Sequence, residues 1–175
     1  MDNVNLKVQK LDKPITNPEL VEAIKELKKD FNPETQNKVL NIALNSVFLV
    51  PGTVNKTTKL VADEENHVHF DESPEVKFLL INHSTRGNFI PAFTDDEQIS
   101  TFKANNPFQA FALRFVDLAA LTENTPTING FVVNPTGDNL PFPQTLLDEI
   151  KKTLIKAAKE KAEKRNNAAE TEKEE

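Results

Sequence analysis

A few groupings in this sequence hold side chains that could do chemistry. In His67-Val68-His69, strand alternation puts two imidazoles on one face, with Asp63, Glu64, Glu65 or Asp71 close enough in sequence to complete a metal site. No third ligand stands at a recognisable spacing, so the stretch reads as an exposed polar strand and implies no metal. His83-Ser84-Thr85 sets an imidazole beside two hydroxyls. Sequence neighbours rarely align as nucleophile and base, and no elbow motif surrounds these three. The four glycines form neither a GxGxxG nor a Walker pattern, so no phosphate-cradling loop or cofactor is implied.

Thr94-Asp95-Asp96 and Asn134-Pro135-Thr136 are more informative. Each follows a strand-like apolar run, and the first opens a helix. If the two strands are parallel neighbours, both turns reach one edge of the sheet, where α/β proteins place ligand crevices. Amides at the helix start would hold a carboxylate or phosphate, with Arg86 or Arg114 as counter-charge. The candidate binding residues are therefore Arg86, Thr94, Asp95, Asn134 and Thr136. The ordinary alternative makes Thr94 a helix cap and Asn134 a turn former. No catalytic residue emerges. A last grouping, Lys151 to Arg165, carries seven basic and two acidic residues on a helix with an apolar stripe. A membrane surface, a partner helix or nucleic acid would suit it, but charge runs are usually solvated, and an overhang in water is expected.

The elements that must position these residues follow from periodicity and punctuation. Met1 to Thr16 is polar and aperiodic, a loose lead-in. Asn17-Pro18-Glu19 offers an N-cap, a proline at the first helical position and a favourably placed acid; Leu20, Val21, Ile24, Leu27 and Phe31 form the apolar stripe. Asn32-Pro33-Glu34 opens a second helix to about Leu44, buried through Val39, Leu40, Ala43 and Leu44. Val47 to Val50 reads as a strand closed by Pro51-Gly52, and Asn55 to Ser73 as a hairpin or long loop. Val76 to Ile81 reads as a strand buried on both faces, with Phe78 and Leu80 in the core beside Ile90, Phe93 and Val132.

Phe89 to Phe93 is a second strand, and Thr94 caps a helix from Asp95 to about Ala104. Phe108 to Phe115 favours a strand ending at Arg114, Asp117 to Leu121 a short helix, and Ile128 to Val133 a strand. Pro143 starts the last helix, whose apolar positions Leu146, Leu147, Ile150, Leu154 and Ile155 fade after Ala158. The expected architecture is α/β, with α+β as the alternative: one domain over 17–158 with a mixed sheet flanked by helices. A charged helix end and disordered tail are expected over 159–175.

At 175 residues the chain suits one domain. A net charge of −6 disfavours nucleic acid bound along a basic face. With no cysteine there is neither disulfide nor thiolate chemistry, in keeping with a reducing cytoplasm. No signal peptide and no membrane span are read.

Four stretches carry a family resemblance: Leu40 to Pro51, Phe78 to Ile81, Phe89-Ile90-Pro91-Ala92-Phe93-Thr94-Asp95, and Phe131-Val132-Val133-Asn134-Pro135. In that order and spacing the chain resembles the N-terminal domain of the SseB family, named for enhanced serine sensitivity in bacteria, over roughly Pro18 to Leu154. The second domain that many members carry has no counterpart in this sequence, which closes on the charged helix. The family brings no established catalytic residues. The resemblance thus implies an intracellular accessory domain, and the expectation is a non-enzymatic module for a protein partner. The rival is a site for an amino acid or other carboxylate at the strand ends.

Overall fold

The computed structural model describes residues 14–62 and 68–171, and the side chains of residues 14–55 and 75–165. Two helices open the chain, α1 (Pro18–Lys29) and α2 (Pro33–Leu44). The second begins as its sequence predicts: the Asn32 side chain accepts from the Thr35 amide at 2.9 Å, and the Thr35 hydroxyl accepts from the Asn32 amide. Phe31 falls in the link between the helices. It is 77% exposed rather than part of the α1 stripe, because the chain turns out there to place the Asn32 cap.

The chain then builds β1 (Val47–Ala62), β2 (Val68–Phe78), β3 (Ile81–His83), β4 (Gly87–Ala92), α3 (Asp96–Ser100), β5 (Gln109–Arg114), α4 (Phe115–Asn124), β6 (Ile128–Val133), β7 (Leu140–Pro143) and α5 (Gln144–Thr171). The α+β alternative is the one realised. The strands divide into an antiparallel sheet ordered β2-β1-β5 and a mixed sheet ordered β3-β4-β6-β7, in which only β4 and β6 run parallel. Leu49 and Phe93 join the two sheets by exchanging both backbone hydrogen bonds at 2.8 Å.

Two features of β1 and β2 differ from the expected strands. Pro51-Gly52 does not close β1, which runs on to Ala62. Leu49 turns both its backbone groups to Phe93, so by strand alternation the Pro51 nitrogen faces the same side. It lies in the gap between Phe93 and the first β2 pairing at Gly52, where no ladder donor is required. The run Val76 to Ile81 is not one strand either. It ends β2 at Phe78, crosses at Leu79-Leu80 and enters the other sheet as β3. Leu80 is 42% exposed and Phe78 only half-buried, because a crossing segment has no second face to cover.

Four helices bury one side of the sheets. Ile90 and Ala92 of β4, with Phe131 and Val133 of β6, point into a core filled by Leu20 and Ile24 of α1, Ala43 of α2 and Leu118 of α4. Phe131 sits at its centre, with ring centroids 5.0 Å from Phe142, 5.3 Å from Phe115 and 6.4 Å from Phe48. The backbone at Gly130 approaches the Phe142 carbonyl too closely for a Cβ, which lets β6 and β7 pair under these rings. Leu49, Phe93 and Ile99 form a second, smaller cluster with Phe102 and Phe108.

Phe131→Ala should therefore cost about 3–5 kcal/mol in urea unfolding, the range for a large ring removed from a packed core. Leu80→Ala should stay within about 0.5 kcal/mol of the parent, as exposed positions do.

Candidate functional site

β4 and β6 are parallel neighbours, so the turns that follow them do meet at one sheet edge. Asn134 extends the ladder by donating its amide to the Ala92 carbonyl at 2.8 Å. It then bends into the left-handed region (φ 48°), a conformation that asparagine tolerates better than most residues. Its own carbonyl accepts from the amides of Gly137 (2.9 Å) and Asn139 (2.8 Å), which folds the β6–β7 loop back over it.

The side chains close a compact polar knot. Thr94 and Asn134 are both wholly buried. The Thr94 amide donates to Asn134 Oδ1 at 3.0 Å, and Asn134 Nδ2 donates to the Thr94 hydroxyl at 3.0 Å. That hydroxyl in turn donates to Asp95 Oδ2 at 2.8 Å. Asp95, not Thr94, is the cap of α3, accepting from the Gln98 amide through Oδ1 at 2.9 Å. The sequence pattern makes Thr94 the expected cap, but its hydroxyl instead accepts from buried Asn134 and donates to Asp95. Asn17 is diverted in the same way. Instead of capping α1, its side-chain amide donates to the carbonyls of Thr94 (2.7 Å) and Val47 (2.9 Å), pinning the start of the helix to both sheets. Thr136 lies further out and shares a hydrogen bond with Thr101.

Of the five candidate residues, Thr94, Asp95 and Asn134 thus come together, and Thr136 stands beside them. Arg86 does not join them. It occupies the β3–β4 turn, before the first residue of β4, whereas Thr94 follows the last. There it lines a small hollow of about 160 Å³ with Phe89, Val132 and Pro141. Arg114 is committed elsewhere: its Nε and second guanidinium nitrogen grip the Asp117 carboxylate at 2.9 and 3.0 Å. The Arg114 hydrogen bond holds the Asp117 carboxyl below the ordinary carboxylate range, with burial opposing it. In the β3–β4 turn, His83 Nδ1 accepts from the Thr85 amide at 3.3 Å and lies 3.2 Å from its hydroxyl, which closes an exposed turn. The His67-Val68-His69 motif lies outside the residues whose side chains are described.

The chemistry of the knot follows from its bonding. Thr94, Asp95 and Asn134 each bond to one another or to the α3 start, and α3 is five residues long with its cap already supplied. A knot of this kind fixes geometry.

A second feature was not foreseen. α4 and α5 pack side by side and leave a groove of about 270 Å³ between them, walled by Leu44, Phe115, Val116, Ala119, Ala120, Leu147, Ile150, Leu154 and Ile155. Val116 is 49% exposed, and Leu154 and Ile155 are each 47% exposed. Glu123, Asp148 and Lys151 stand at its rim, where Lys151 and Glu123 pair at 2.6 Å across the two helices. Among the described residues, the one buried side-chain nitrogen or oxygen left unpaired is Oε1 of Gln144, in the wall of the groove. The signal was present in the sequence: the apolar stripe of α5 outruns the body it has to cover. The other wall was hidden, because the sequence reads as a strand ending at Arg114 and a short helix from Asp117, leaving Phe115 and Val116 outside the helix.

A family model, the SseB protein N-terminal domain, matches residues 20–149. No curated protein and no solved structure matches the chain. Among the described residues, no helix is long and apolar enough to cross a membrane.

Asn134→Ala should cost about 2–4 kcal/mol in chemical unfolding, since it strands the buried Thr94 amide and forces a Cβ-bearing residue without a local hydrogen bond into the left-handed region. Asn134→Gly should lose less, keeping the backbone free to turn. Asp117 gives a pH test. Its folded pKa is lowered, so its stabilisation is complete above the unfolded value of about 3.9 and is lost as pH falls through the lower folded value. The stability gap between the parent and Asp117→Asn should be constant from about pH 7 to 5 and should close below about pH 4 in thermal melts.

Proposed function

The chain belongs to the SseB N-terminal domain family, and from that premise we propose that it is a non-enzymatic binding or regulatory module acting on a protein partner. Its recognition surface is the groove between α4 and α5, and the ligand it receives is an amphipathic helix. The observation that carries this reading is the placing of Val116, Leu154 and Ile155, three half-exposed apolar side chains in one concave strip. A seam between two helices, apolar along its floor and charged at its rim, suits a third helix laid into it with its apolar face down. The polar knot lends support from the other side, because Thr94, Asp95 and Asn134 are bonded to one another. The acidic net charge of −6 argues for a protein rather than a nucleic acid. The absence of cysteine suits a reducing compartment, and the bacterial cytoplasm is taken as its place of action.

The reading is tested by amide-shift titration of the labelled protein with helical peptides bearing a leucine–isoleucine stripe. Saturable shifts are expected at Val116, Ala119, Ala120, Leu154 and Ile155. They should vanish in Val116→Glu/Leu154→Glu, whose melting temperature should change by only a few degrees, since both sites are half-exposed. Serine and a panel of carboxylates form the opposing arm. Saturable shifts at Thr94 and Asn134, abolished by Thr94→Ala, would replace this reading with a small-molecule site.

A further inference from the structure

We propose that the helix received by the groove is the outer half of α5 from a second copy of this chain; the inference rests on the reading of the groove as a helix-docking seam. α5 is 28 residues long, yet among its described side chains the buried ones, Leu147 and Ile150, lie in its first two turns. Every residue from Lys151 to Arg165 is exposed. The groove-facing row of Leu147, Lys151, Leu154 and Ile155 continues at helical spacing through Ala158, Lys161, Ala162 and Arg165. The protruding half thus carries on the same stripe with small residues that let another helix come close.

Charge then selects the partner. The stretch Lys151 to Arg165 has seven basic and two acidic residues, while the groove end carries Glu123 and Asp148, with Lys151 already paired to Glu123. One surface is therefore basic at one end, acidic at the other and apolar between. A two-fold axis near Leu154 and Ile155, with the helices antiparallel, sets these two side chains against their counterparts. It lays each outer half along α4 of the other copy, over Ala119 and Ala120. Asp148 and Lys161 lie six residues either side of that centre and so come opposite one another. Such a patch is self-complementary, as a two-fold interface requires. An acidic protein or an anionic lipid surface would satisfy the cations but leave the acidic rim facing like charge; a second copy satisfies both ends.

Sedimentation equilibrium of the full chain, from micromolar to millimolar, tests the proposal. The mass should rise from the 19.6 kDa monomer towards twice that value, and the dimer should weaken as salt is raised. Leu154→Glu/Ile155→Glu should stay monomeric at every concentration while its circular dichroism stays that of the parent. Lys161→Glu and Asp148→Lys should each weaken association about tenfold, and the two together should restore it. A dimer indifferent to both charge reversals overturns the proposal. So does a monomer at millimolar concentration whose groove amides still shift with the helical peptides, an outcome that leaves the docking reading standing and excludes only the second copy. Binding to phosphatidylserine vesicles by a chain that stays monomeric also overturns it, in favour of a membrane surface.

Discussion

A buried backbone amide must find a partner, and the fold depends on how that demand is met at Thr94. At this point β4 has ended, α3 has not begun, and the residue is wholly buried. The Asn134 carboxamide supplies the missing acceptor, and in return receives one from the Thr94 hydroxyl. Since Asn134 follows directly on β6, the exchange locks the parallel pair together where the ladder stops. Asn17 extends the bond to α1 and to the start of β1. Four elements that are far apart in sequence thus share one set of hydrogen bonds. Loss of any member leaves a buried group unpaired and not merely a contact unmade.

Sequence reasoning reached the elements more easily than their connections. β6 and the end of β5 were legible because their punctuation is local: Asn134-Pro135 closes one and Arg114 the other. The Val76 to Ile81 run misled for a physical reason. A crossing between sheets and a strand buried on both faces have the same apolar composition, and only tertiary pairing separates them. Pro51 misled because its lack of a donor is harmless at the one place where β1 changes neighbours. The meeting of Thr94 with Asn134 was legible once parallel pairing was supposed, since both follow strands. That they would bond directly to each other was not, because a structural pair and a ligand-binding pair use the same residue types. Arg86 shows the reverse limit: it is eight residues from Thr94 in sequence, and a strand stands between them.

Two surfaces of different character result. The polar cluster turns inward and stabilises; the apolar seam of α4 and α5 turns outward. Phe115 belongs to both worlds, since its ring packs on Phe131 and Phe142 while also walling the groove. The groove therefore rests directly on the most densely packed aromatic part of the core, and its shape is held rigid from beneath.

The crossover between β4 and β6 has one further consequence. It does not merely pass over its own sheet: between α3 and α4 it sends β5 to pair with β1 in the other one. The antiparallel sheet is thus finished by a strand taken from the other sheet's connection. During synthesis, β1 would leave the ribosome more than forty residues before its partner β5, with one edge still open along Val47 to Gly52. Neither half of the chain can close on its own as it emerges. The edge of β1 stays open until about Arg114 is made, and the other sheet waits longer still, for β6 and β7.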